Sequence, residues 1–98
     1  MDFESVMEDS SLYLTMAEGC GILGCTRFLL KKWARLGIIS RIPHQNRARF
    51  FASGVLAAGV ERGRISTEQS AKALEIVKMR ARLEAAAARI VREFTKPR

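Results

Sequence analysis

The apolar positions of this chain follow three rhythms, and each predicts a different element. Between Arg27 and Leu36 they recur at the helical period: at about 100° per residue, Leu29, Leu30, Trp33 and Ala34 share one broad face. Lys31, Lys32 and Arg35 fall opposite, with Phe28 among them and Arg27 at the margin. After Gly37 the rhythm shortens. Ile38 to Ile42 and Arg47 to Phe51 are β-prone runs separated by Pro43, His44, Gln45 and Asn46, which suit a turn, so this stretch predicts a hairpin, or wing. Arg41, Arg47 and Arg49 lie on or beside its strands, and two-residue alternation puts Arg47 and Arg49 on one face. The third rhythm is a heptad. From Ser66 or Thr67 to about Phe94 good helix formers continue, and Ile76, Met79, Leu83, Ala86 and Ile90 occupy a and d positions for about two repeats.

Punctuation marks where the shorter elements begin and end. Thr15, followed three residues later by Glu18, forms a capping box that predicts a helix from Met16 to Leu23, although Gly19 and Gly21 weaken it. Gly24 permits the left-handed turn that ends it, Thr26 caps the next helix, and Gly37 closes that one. Two short helices joined by a tight turn make a helix-turn-helix. Beyond the wing, Ser53 is expected to cap a helix to about Val60, with Val55, Leu56 and Val60 covering the open side of the core. Arg62 and Arg64 then fall in a linker, as solvated charges or phosphate contacts. Gln69 completes a second capping box ahead of the last helix. The expected fold is mainly α with a small β-hairpin: a winged helix-turn-helix over residues 12–62, then a long C-terminal helix over 66–95.

Charge changes the picture from architecture to partner. Seventeen basic residues face ten acidic ones in 98, a net charge of +7. Half of the acids, Asp2, Glu4, Glu8, Asp9 and Glu18, precede the first base, Arg27; from residue 19 onward seventeen bases face five acids, a balance of +12. Such an excess, carried by a helix and a wing together, points to double-stranded DNA: the helix for the major groove, the wing arginines for the minor groove or the phosphates. Residues 1–11 have no sustained period and read as a flexible acidic arm, either a solubilising tail or a decoy that covers the basic surface.

The segments "YLTMAEGCGILGC" and "TRFLLKKWARLGIISRIPHQNRARFF" resemble the winged helix of the MerR type, and especially its small phage and mobile-element relatives, the excisionases or recombination directionality factors. The likeness rests on Leu14-Thr15, the Leu23-Gly24 turn, Leu30, Trp33, Gly37 and Arg49-Phe50-Phe51, within about half of the chain. The helix and wing geometry gives the expected DNA-binding surface, drawn from Thr26, Arg27, Phe28, Lys31, Lys32, Arg35, Arg41, Asn46, Arg47 and Arg49, and the likeness implies a winged helix that carries it. It also implies cooperative binding to repeated sites, DNA bending and an integrase directed toward excision. Regulators of transcription and packaging adaptors of phages share the pattern. One departure is the early recognition helix, where small polar residues are usual and this chain has Phe28 and Leu29; Phe28 then either meets a thymine methyl group or packs on the wing.

For the long helix three roles compete: packing on its own domain, pairing with another copy through Ile76, Met79, Leu83, Ala86 and Ile90, or meeting a protein such as a site-specific recombinase. Arg80, Arg82, Arg89 and Arg92 line its other faces, solvated or facing phosphate. Catalysis is not expected. Cys25 and His44 lack an orienting acid, Cys20 and Cys25 make no metal pattern with one distant histidine, and no cofactor or small-molecule substrate is indicated. With no signal-like segment and no apolar run of the roughly 20 residues needed to span a bilayer, the chain is expected to be cytoplasmic and associated with the nucleoid.

Overall fold

The computed structural model describes residues 11–43 and 45–95; the acidic arm short of Ser11, and His44 of the expected turn, lie outside them. Six elements follow in order: β1 (Tyr13–Thr15), α1 (Met16–Leu23), α2 (Arg27–Arg35), β2 (Arg49–Phe51), α3 (Ala52–Glu61) and α4 (Thr67–Thr95). The molecule is mainly helical, with a two-stranded antiparallel sheet and a long final helix.

The expected caps are present. Thr15 Oγ1 accepts from the Glu18 amide at 3.2 Å while the Thr15 amide donates to Glu18 Oε1 at 2.9 Å, closing the capping box of α1. Gly24 ends that helix in the left-handed region, with φ 62°, where a side chain is strained. Thr26 Oγ1 accepts from the Leu29 amide and starts α2. At the head of α4, Ser66 and Gln69 satisfy each other's amides at 3.0 and 2.8 Å.

The wing differs from its expectation. The end of Ile38 to Ile42 pairs with β2 as expected of a hairpin: Arg41 bridges Phe50, the Ile42 amide donates to the Arg49 carbonyl at 2.8 Å and the Phe51 amide to the Ser40 carbonyl at 3.1 Å. The stretch nonetheless forms no regular strand. The reason lies at the end of α2, where the amides of Ile38 and Ile39 both donate to the Trp33 carbonyl and are spent on the helix terminus. Ile39 and Ile42 also turn inward together, three residues apart, instead of alternating. β2 finds its regular partner in β1, which the apolar pattern did not reveal, in the register Tyr13 to Phe51, Leu14 to Phe50 and Thr15 to Arg49. α3 begins two residues earlier than expected: Phe51 is its N-cap, no side chain caps it, and Ser53 lies inside the helix.

The core gathers Leu14, Leu23, Leu30, Trp33, Phe50 and Val55, each at most 5% exposed, from all three short helices and the sheet. α4 joins it through Val77, with Ala73 and Leu74 packed beside it, and then continues beyond the body. At about 1.5 Å per residue its 29 residues span roughly 43 Å, which accounts for the 53 × 27 × 27 Å outline.

Candidate nucleic-acid interface

α2 presents its two faces as the period demands. Leu30 and Trp33 are buried and Leu29 and Ala34 half-buried, so the helix is held by one side. Arg27, Phe28, Lys31, Lys32 and Arg35 are exposed on the other, as is Thr26, whose hydroxyl is used by the cap. Phe28 is 72% exposed, so of its two expected roles packing on the wing is absent among the described contacts. Arg41 is exposed at its bridge to Phe50, and Asn46 and Arg47 are exposed on the loop that leads into β2.

Arg49 stands apart from this set. It is half-buried, and its guanidinium lies 4.2 Å from the centre of the Tyr13 ring, its diagonal neighbour across the β1–β2 ladder. The alternation that pairs it with Arg47 does not operate, because β2 starts only at Arg49.

No acidic residue occurs between Glu18 and Glu61, while Arg27, Lys31, Lys32, Arg35, Arg41, Arg47 and Arg49 do. Among the described residues none of Arg27, Lys31, Lys32, Arg35, Arg41 and Arg47 is in an ion pair, whereas Arg62, Lys72, Lys78 and Arg80 each have a carboxylate. A group of exposed cations without carboxylate partners makes a field that attracts polyanions.

Three arginines expected to be solvated or to face phosphate are instead built into the fold. Arg80 is the largest correction. Its side chain is 23% exposed, it donates from Nη1 to Glu18 Oε1 and Oε2 at 2.7 and 2.6 Å and from Nη2 to the Tyr13 carbonyl, and it lies 3.9 Å from the Tyr13 ring centre. Tyr13 is thereby flanked by Arg49 and Arg80, and its hydroxyl donates to Glu84 Oε1 at 2.8 Å. Burial alone would push the Glu18 carboxyl up; the Thr15 amide and the Arg80 guanidinium outweigh it and hold the group below its ordinary range. Burial, then the bond to Glu84, push the Tyr13 hydroxyl up. Arg64 donates to the carbonyls of Leu23 and Gly24, completing the end of α1, and Arg62 lies 5.4 Å from the Trp33 ring centre. Their roles depend on contacts across 29 to 67 residues of sequence, which no local pattern encodes.

The heptad residues of α4 do not carry its packing. Ile76, Met79, Leu83 and Ile90 are 56–68% exposed and Ala86 is exposed too, while the docking face runs through Ala73, Leu74, Val77 and Arg80. Val91 and Phe94 extend the exposed stripe toward the C-terminal end.

Among the described residues no three His, Cys, Asp or Glu side chains gather as a metal site, and no helix is long and apolar enough to cross a membrane. No known protein family, curated protein or solved structure matches this chain.

Proposed function

We propose that the protein binds double-stranded DNA sequence-specifically, with α2 in the major groove and the loop of Arg41, Asn46 and Arg47 beside it on the flanking minor groove or phosphates. One observation carries the reading: a helix anchored by Leu30 and Trp33 whose opposite face presents Arg27, Phe28, Lys31, Lys32 and Arg35, exposed and without ion pairs among the described residues. The spacing of α2 bases suits phosphates and guanine edges, and Phe28 suits a thymine methyl. In this reading the protein is a recombination directionality factor. Copies bind repeated sites, associate through Ile76, Met79, Leu83, Ala86 and Ile90, bend the DNA and place an integrase for excision.

Selection of bound fragments from sheared genomic DNA at physiological salt, where non-specific binding is weak, tests it. Direct repeats beside a recombinase attachment site support the excision role, and inverted repeats at promoters replace it with a MerR-like regulator. No enrichment at any sequence removes the specific-binding reading. The exposed stripe of α4 favours one further reading, an adaptor of the phage packaging type in which that stripe recruits a protein.

A further inference from the structure

The two cysteines of the chain straddle the turn between α1 and α2, and their places follow from how α1 ends. The Cys20 carbonyl accepts from the amides of both Gly24 and Cys25, the second at 3.1 Å. In a helix ending of this kind the residues at those two places bring their side chains together, ordinarily as an apolar contact. Here both side chains are thiols. The covalent bonds flanking a 3.1 Å hydrogen bond cap the Cα separation near 7 Å even when fully straightened, and the turn folds it shorter. Disulfides close at Cα separations of about 4.4 to 6.8 Å. Both cysteines are only partly buried, so a small oxidant reaches them.

We propose that Cys20 and Cys25 are an intramolecular dithiol that hydrogen peroxide converts to a disulfide, stapling the last turn of α1 to the residue ahead of the α2 cap. One thiol takes an oxygen from peroxide, becoming a sulfenic acid and releasing one water. The sulfur of the other, losing its proton, attacks that sulfur; the S–S bond forms, the S–O bond breaks and the oxygen leaves as the second water. Two thiols are oxidised to one disulfide and one peroxide is reduced to two waters. Burial, and next the neighbouring Cys20, push the Cys25 thiol up, with Arg64 opposing. The staple bears on α2 because the residue after Cys25 is Thr26, its N-cap. None of this depends on what α2 binds.

The full-length chain, reduced and then exposed to hydrogen peroxide at low protein concentration, is read by intact mass, alkylation with N-ethylmaleimide and a denaturing gel without reductant. The expected product is a single chain lighter by about 2 Da, without alkylatable thiols, and restored by dithiothreitol. Closure is slower when the chain is first unfolded in guanidinium, because the helix ending sets the approach. Cys20→Ser and Cys25→Ser instead gain oxygen or link between chains. Wild-type protein that keeps both thiols, gains oxygen or cross-links between chains overturns the proposal, and an equal rate in guanidinium overturns the role given to the fold.

Discussion

Arg80 differs from Arg82, Arg89 and Arg92 in what surrounds it and not in its local sequence, and Glu18 meets it with both carboxylate oxygens. Because the native state holds the Glu18 carboxyl below its ordinary 4.5, it binds that proton less readily than the unfolded chain does. The contribution is therefore present above that value and is lost as the pH falls through the lower native one. Glu18→Gln is expected to cost about 1 to 2 kcal/mol near neutral pH, less than loss of a fully buried partner, because the carboxylate is 41% exposed. It also removes part of the acid sensitivity, which melts at about pH 7 and about pH 3 compare directly. Phe28 carries a prediction of another kind: replacing one thymine by uracil in a selected site deletes a methyl group, expected to cost wild-type protein about 0.8 kcal/mol, or about fourfold in affinity. Phe28→Ala loses that discrimination while keeping its salt dependence. Lys31→Ala, in contrast, weakens all sequences alike and lowers the salt slope by about one unit, as titrations at several salt concentrations show.

At the scale of elements the sequence is most legible where partners are close along the chain. α1, α2 and the head of α4 were readable because each cap bonds three residues away, and Leu30 and Trp33 declare the buried face of α2 through the period alone. β1 was not readable: three residues cannot establish an alternation, and their ladder partner lies 34 or more positions later. The packing face of α4 was hidden for a different reason. Its contact residues, Ala73, Leu74 and Val77, are less conspicuous than the heptad of larger apolar residues that the structure leaves in solvent. α3 shows how propensity alone misleads. Gly59, which weakens a helix in isolation, sits where a Cβ would collide with Leu23 Cδ2 and crowd Ile65. Gly59→Ala is therefore expected to destabilise the protein by about 1 to 3 kcal/mol, outweighing a propensity gain of about 1, as chemical denaturation will measure.

For the whole molecule the decisive asymmetry is that α4 is docked along its first half and free along its second. From Arg82 to Thr95 every residue is exposed, although Glu84 still reaches the body by accepting from Tyr13. Ending the chain after residue 87 is expected to leave the melting temperature of the body within a few degrees, as thermal melts of the full and shortened chains will show. A body that unfolds instead means that the far half is required in cis. The docking of the two sides of the body can also be followed separately by light. The chain has one tryptophan and one tyrosine. Trp33 is the inner anchor of α2, and its emission reports whether that helix is seated. Tyr13 is the point where α4 is clamped, and its ultraviolet difference spectrum reports ionisation, delayed beyond the ordinary 10.0 for as long as the clamp holds. Each chromophore thus stands at one seam of the body, so a single unlabelled sample distinguishes release of the basic helix from release of the long one.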